Sequence, residues 1–358
     1  DLASRFEIPA VNAGVRLVNG QVVAAPAQEG RVMDVAAMIG RLETDVAGEV
    51  ADGEIDLSMR RVIPTVTDAT PMLALASQLL TRPLQITAYD PIRDERYNWS
   101  VPPEQWSQWL TTASNTAQLS LALDDPALRN YLKAQESSLR QPQYLKIDEA
   151  AAAIQQALAQ NSTQSNVRVY HADTTHTVQS GETLISIAWN YGIPYPWIQQ
   201  ANPGMGETLS VGQTITIPSP DKLFEFPPVP NKRIVVSMSE QRVRVYENGN
   251  VRWDWIASTG ISSSPTWPGV YQIISHEPNA YAANWDLWMP SFLGVYRPIP
   301  GQAFTNGFHG FPTRGGSQLL WTNNLGTRVT YGCILLSSEN ATQLYNWAEN
   351  GVIVEIRA

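Results

Sequence analysis

The stretch "GTRVTYGCILLSSENATQLY", residues 326–345, decides how the C-terminal third of the chain is read. It holds Cys333, the one cysteine in 358 residues, with Gly332 before it and the apolar run Ile334, Leu335, Leu336 behind it. Cysteine is among the most often buried residue types, so a core position is the ordinary expectation. A thiol is also a strong nucleophile once deprotonated, provided an imidazole can take its proton and later return it to a leaving amine. Four histidines are available, His171, His176, His276 and His309. The first two sit far upstream, before or at the opening of a separate module. His276, in "YQIISHEPN", reads as a strand end turned by proline. His309, in "NGFHGFPTRGG", has glycines on both sides that suit a loop or strand end, which makes it the better base.

Strands dominate around this pair. "RIVVSMSEQRVRVYENGNVRWDWIASTG" alternates, turns at "ENGN" and alternates again, as an antiparallel hairpin does. "GVYQIISHE" adds a strand, "NATQLYNWAENG" a helix ending at Gly351, and "VIVEIR" a last strand, giving a mostly-β sandwich or barrel-like domain over 232–358. The segment "NAYAANWDLWMPSFLGVYRPIPG" is too long and irregular for a simple hairpin and is expected to be a lid over the thiol. Met289 and Tyr296 within it, Trp321 from the crowd of tryptophans, and Leu335 beside the cysteine are the candidate substrate contacts.

Composition narrows the function classes. With 43% hydrophobic and 16% charged residues the chain can bury ordinary cores, and its length points to more than one domain. No run approaches the roughly 20 apolar residues needed to cross a membrane. A net charge of −9 argues against a nucleic-acid partner. One cysteine permits no internal disulfide, and no Cys/His cluster has ligand spacing, so neither metal nor cofactor is expected. The opening "DLASRFEIPAVNAG" reads as the middle of a domain, which leaves room for a secretion signal or membrane anchor outside this chain.

Residues 1–172 alternate helical and strand patterns and are expected to be α+β. Val32, Val35, Ile39, Leu42 and Val46 recur at helical spacing, "DATPMLALASQLL" and "IDEAAAAIQQALAQ" read as helices, and "PLQITAYD" and "NVRVYHA" as strands. In "DPALRNYLKAQESSL", Asp125 is the expected N-cap before Pro126. No titratable residues gather here at catalytic spacing. The segment "PSPDKLFEFPPVPNK" reads as a semi-rigid spacer, giving a linker over 220–231.

Residues 176–219, "HTVQSGETLISIAWNYGIPYPWIQQANPGMGETLSVGQTITIPS", form a strand, a glycine turn, two short helices and a closing alternating strand. The fixed spacings of "V-x-x-G-E-T-L-x-x-I-A", "Y-G-I-P", "A-N-P" and "V-G-Q-x-I-x-I-P" closely resemble a LysM domain. The resemblance implies a β-α-α-β fold that binds N-acetylglucosamine glycans such as peptidoglycan. Its binding loops would be Gly181, Glu182, Thr183 and Leu184, and Asn202, Pro203, Gly204 and Met205; otherwise these residues merely shape turns.

From Lys232 onward the chain resembles the catalytic domain of the YkuD-like L,D-transpeptidases. The matching pieces are "KRIVVSMSEQRVRVYENG", "STG" ahead of Thr266, Pro268 and Gly269, "FHG", and "TYGCILL". The resemblance implies Cys333 as nucleophile, His309 as base and acid, the Gly310 region as orienter of the imidazole, and Thr330 in the Ser/Thr position. Backbone N–H groups of Tyr331, Gly332 and Cys333 would form the oxyanion hole, with Gly332 needed because a side chain there would crowd the attacked carbonyl. Tyr331 stands where the family has a second histidine, Leu335 where it commonly has Arg or Asn, and His309 precedes Cys333 by 24 positions, a long spacing. A tyrosine hydroxyl still donates and accepts. The implied function is a cysteine-dependent L,D-transpeptidase that cross-links peptidoglycan through a thioester, outside the cytoplasm and at the cell wall. The alternatives are an L,D-carboxypeptidase using water as acceptor and a non-catalytic peptidoglycan-binding scaffold. The N-terminal region resembles the peptidoglycan-binding modules found beside such domains.

Overall fold

The structure, a computed structural model, describes residues 3–18, 21–115, 118–206 and 208–358. Asp1 and Leu2 of the opening stretch and Glu207 of the LysM-like segment lie outside them. The chain divides into two compact units. The first takes in residues up to Ala88, Arg96–Ser138 and Leu145–Arg168; the second is Tyr89–Glu95, Leu139–Tyr144 and Val169–Ala358.

The first unit mixes hairpins with helices. Gly14–Val18 pairs with Gln21–Ala25, Gly30–Met33 with Met59–Val62, and Leu110–Asn115 with Gln118–Leu123, all antiparallel. Helix Ile147–Ala159 buries Ala150, Ala151, Ile154 and Leu158, the i, i+4 stripe its sequence carries. Helix Asp125–Glu136 is capped by Asp124, whose carboxylate accepts from the Ala127 N–H, and not by Asp125, which pairs with Arg129 one turn on. The apolar spacing from Val32 to Val46 is divided differently from expectation. A strand ends at Met33, Asp34 caps a helix over Val35–Thr44, and Asp45 caps a four-residue helix over Val46–Glu49. Two capping carboxylates override the helical period because each satisfies an N–H that a continuous helix would already hold.

In the second unit, strand Thr174–Thr177 pairs antiparallel with Thr214–Ile217, and helices Leu184–Tyr191 and Tyr195–Ala201 lie between them in sequence. Thr183 and Ser186 form a capping box, and Gly192 ends the first helix in the left-handed region at φ +68°. Leu184, Ile187, Ala188, Ile193, Ile198, Ile215 and Ile217 bury into one core with Ile234, Val236, Val243 and Val245 of the C-terminal segment. The LysM-like segment is therefore packed, not strung on a tether. Trp197 Nε1 donates to the Arg297 carbonyl at 2.8 Å, and the Trp189 and Tyr195 rings lie 5.8 and 6.0 Å from that of Trp267.

The proline-rich segment is likewise packed rather than a spacer. Pro220–Leu223 forms a 3₁₀ turn that buries Leu223. Glu225 and Phe226 donate their N–H groups to Gln272 Oε1 at 3.0 and 3.1 Å, and Val229 N–H donates to Gly351 O at 3.1 Å. Prolines remove donors from this stretch, yet the N–H groups of Glu225, Phe226 and Val229 find fixed acceptors.

Two sheets carry the C-terminal segment. One has five strands in the order Asn250–Ile256, Arg242–Glu247, Lys232–Ser237, Ile353–Arg357, Gly269–Gln272; only the pairing of Lys232–Ser237 with Ile353–Arg357 is parallel. The other runs Ser317–Gln318, Thr313–Arg314, Leu287–Tyr296, Asn306–His309, Ile334–Leu335, with Ser275–Ala282 also paired to Leu287–Tyr296. The segment read as an irregular lid is thus a long hairpin. Pro278 and Pro290 stand within its strands, and the turn is a 3₁₀ pass over Ala283–Trp285 closed by Asp286 at φ +51°. Helix Ser338–Trp347 packs on Leu287–Tyr296 and Asn306–His309.

Candidate active site

Strands Asn306–His309 and Ile334–Leu335 pair in parallel, with Phe308 opposite Ile334 and His309 opposite Leu335. Side chains alternate across a strand, so Phe308, Ile334 and Leu336 enter the core while His309 and Cys333 share the other face. There both line one cavity of about 240 Å³. The wall also holds Trp285, Leu287, Met289 and Phe304 on its apolar side, and Asn306, Thr330, Tyr331 and Arg314 among its polar residues.

The cysteine loop is held from behind by the "STG" stretch. Ser258 exchanges both backbone hydrogen bonds with Leu335, and the Thr259 carbonyl accepts from Val329 and Thr330. Thr266 Oγ1 accepts from Gly260 N–H at 3.0 Å and donates to Gly332 O at 2.9 Å, and Thr330 Oγ1 donates to Cys333 O at 2.6 Å. Among the described residues, the N–H groups of Tyr331, Gly332 and Cys333 have no protein acceptor. They remain available to an oxyanion. Gly332 adopts φ +109°, and a Cβ there would come within 2.8 Å of Asn306 Nδ2. Backbone conformation and the Asn306 amide both call for a glycine here.

Cys333 is 9% exposed and packs with Ala280, Met289 and Phe292. This apolar surround pushes the thiol up to about 11, with the Gly307 N–H hydrogen bond to sulfur pulling the other way. The sulfur lies 3.6 Å from Asn306 Oδ1. His309 is 4% exposed, and burial drives it down to about 4 against the opposing hydrogen bond to Gly310. At neutral pH both groups are uncharged. His309 Nδ1 donates to the Gly310 carbonyl at 2.6 Å, which fixes the tautomer and leaves Nε2 with its lone pair. No hydrogen bond joins the imidazole to the thiol in this resting arrangement.

The sequence-derived site divides in two. Cys333, His309, Thr330, Tyr331 and Met289 share the cavity wall, while Gly332 and Gly310 support it from the backbone. Tyr296, Trp321 and Leu335 are not on it. Tyr296 is buried, its hydroxyl accepting from Trp267 N–H at 3.0 Å and Asn306 Nδ2 at 3.2 Å, and its ring stacks on Tyr271. Leu335 is buried beneath the sheet pairing, and Trp321 is half-exposed beside Leu319 and Leu320, which do line the cavity. His276 bonds to Asn350 and the Ala348 carbonyl and takes no part.

Sequence reasoning missed Asn306, Gly307 and Arg314, and of the crowded tryptophans it singled out Trp321 where Trp285 lines the cavity. Gly307 carried a readable signal, standing two residues before His309 and so on the same strand face; a Cβ there would strike Leu293 O at 2.0 Å. Trp285 reaches the cavity because the hairpin tip places it there, stacked on Tyr331 at 5.8 Å and 13°.

In the LysM-like segment the expected glycan contacts also separate. Leu184 is core, and the Asn202 amide is fully engaged, donating to Ile198 O and Thr216 O and accepting from Thr216 N–H. Met205 packs against the core and Thr183 caps its helix. Glu182 accepts from Gln179 N–H and bonds His176 Nε2 at 2.7 Å. Gly181, Pro203 and Gly204 are exposed, both glycines in the left-handed region with open space around them.

Comparison with known proteins assigns two stretches of the chain to families. The model of the L,D-transpeptidase catalytic domain, YkuD, matches residues 231–356, and that of the LysM domain matches 176–218. The YkuD proteins of Bacillus licheniformis and Bacillus subtilis are 28% and 26% identical over 185 residues, 51% of this chain and 97% and 98% of theirs. A solved L,D-transpeptidase from Mycobacterium smegmatis is 20% identical with a TM-score of 0.31, covering 36% of this chain and 59% of that one. Residues 231–356 of this chain are a YkuD-type L,D-transpeptidase catalytic domain, and residues 176–218 are a LysM domain.

Proposed function

We propose that the protein is a cysteine-dependent L,D-transpeptidase acting on peptidoglycan outside the cytoplasm. The observation that carries this reading is one cavity in which the single thiol and a neutral imidazole with a free Nε2 both line the wall. Cys333 Sγ attacks the carbonyl of the third stem residue as its proton passes to His309 Nε2. The oxyanion is received by the unpartnered N–H groups of the Tyr331–Cys333 turn. Collapse breaks the C–N bond, the imidazolium protonates the departing D-Ala amine, and a thioester remains. An acceptor amine then attacks, gives its proton to His309, and the C–S bond breaks with return of that proton to sulfur. The apolar wall disfavours water and so favours an amine acceptor over hydrolysis. The LysM domain would deliver glycan, through the exposed Gly181 and Pro203–Gly204 loops.

Intact-mass spectrometry with a carbapenem tests this. Wild-type protein is expected to gain a covalent adduct that Cys333→Ala does not form. An unmodified, folded and reduced wild type would favour a peptidoglycan-binding scaffold, the reading suggested by Tyr331 and Leu335 at the two departures from the family pattern. Muropeptide digestion separates cross-linking from carboxypeptidase release of D-Ala.

A further inference from the structure

We propose that Arg314 is the carboxylate anchor of this cavity, holding the C-terminal carboxylate of the residue that departs when Cys333 attacks. The inference rests on the acyl-transfer reading above. Arg314 sits at the cavity rim on the short strand Thr313–Arg314, which pairs with Ser317–Gln318 across the turn Gly315–Gly316. Both turn glycines have positive φ, +54° and +81°, so the tight reversal that holds the arginine in place is built for it. The neighbouring Thr313 pairs with Trp288, tying the strand to the hairpin that carries Trp285.

Charge makes Arg314 singular. Every other residue on the wall is apolar or an uncharged polar group, and the buried imidazole and thiol are both neutral at neutral pH. The guanidinium donates once within the protein, from Nη2 to the Trp285 carbonyl at 2.7 Å, and no described carboxylate pairs with it. Four N–H donors are left in a planar fork that matches a carboxylate. An exposed guanidinium at the rim of a mostly apolar cavity favours a ligand with an apolar body and one anionic end reaching outward.

Length selects which carboxylate. A cavity of 240 Å³ is ~8 Å across if round, and an extended chain advances at most ~3.6 Å per residue, so the anion must lie within one or two residues of the attacked carbonyl. The C-terminal carboxylate of the leaving residue meets that condition.

The test compares wild type with Arg314→Gln, which keeps a polar side chain without the charge, on tetrapeptide stems ending in a free carboxylate or an amide. Each is made with lysine or diaminopimelate as third residue. The expected result is a KM for the free carboxylate raised roughly 10- to 100-fold in the variant, with the amide unaffected and Arg314→Lys intermediate. Equal loss on carboxylate and amide, or no loss on either, overturns the proposal. A loss that follows the diaminopimelate side-chain carboxylate instead also overturns it. Calorimetric binding of the same peptides to the Cys333→Ala protein keeps the two claims apart. If that protein discriminates carboxylate from amide only while Arg314 is present, yet wild type turns over nothing, the anchor stands and the enzyme reading falls. Turnover without discrimination gives the reverse.

Discussion

Among the described residues the Cys333 thiol bonds to one side chain, the Asn306 amide, and that amide is held at its other end. Its Nδ2 donates to the Tyr296 hydroxyl, so Oδ1 is turned toward the sulfur. Asn306→Ala is expected to slow carbapenem acylation roughly 10- to 100-fold by releasing the thiol from its bearing, a loss read from stopped-flow kinetics. The resting ionisation state gives a second prediction. With His309 near 4 and Cys333 near 11, the free protein carries a neutral pair across the neutral range. The acylation rate should rise as pH climbs through about 4, where His309 loses its proton and becomes a base, and then stay level between about pH 6 and 9. Thiolate absorbance near neutral pH, or a rate that falls below pH 7, would instead indicate a resting thiolate–imidazolium pair. The cysteine, the histidine and the Thr-Tyr-Gly-Cys turn were legible because each is a short motif whose residue types carry the chemistry. Asn306 was not, since an asparagine directly between a threonine and a glycine reads as turn chemistry until the fold sets it against sulfur.

Tyr296 shows why elements were harder to read than residues. It stands at the end of strand Leu287–Tyr296, whose hairpin partner is masked in sequence by Pro278 and Pro290, so the stretch resembled a lid and the tyrosine a ligand contact. In the fold it is a post, its hydroxyl accepting from Trp267 on one side and Asn306 on the other. Tyr296→Phe leaves both donors buried without that acceptor and is expected to destabilise the protein by about 1–3 kcal/mol. It should also lower kcat more than it raises KM, because the ring does not line the cavity. Steady-state kinetics alongside denaturant unfolding would check both; a pure KM effect would return Tyr296 to the substrate. The proline-rich stretch was misread for a related reason. Composition marks it as extended but cannot say that Gln272 and Gly351 wait to accept its N–H groups.

The second unit is assembled from three separate pieces of chain, and a buried charge cluster stitches them together. Asp90 comes from 89–95, Gln143 from 139–144, and His171 and Asp221 from the long C-terminal piece. His171 Nε2 lies 3.1 Å from Asp90 Oδ2 and its Nδ1 3.3 Å from Asp221 Oδ2, so each ring nitrogen faces a carboxylate. Gln143 Nε2 adds a hydrogen bond to Asp90 at 2.6 Å. Burial opposes the charge on His171, but the two carboxylates win and hold it up at about 9, while Asp90 is lowered despite its own burial. A histidine whose pKa rises from 6.5 to about 9 on folding stabilises the fold fully below 6.5, and that contribution fades as pH rises through 9. Its size at mildly acidic pH is on the order of 3 kcal/mol. Replacing His171 by Gln should therefore destabilise the protein most near pH 6 and progressively less towards pH 10, a convergence measurable as unfolding free energies in urea. A difference between wild type and His171→Gln that stays constant across that range would mean that packing, not charge, joins the three pieces.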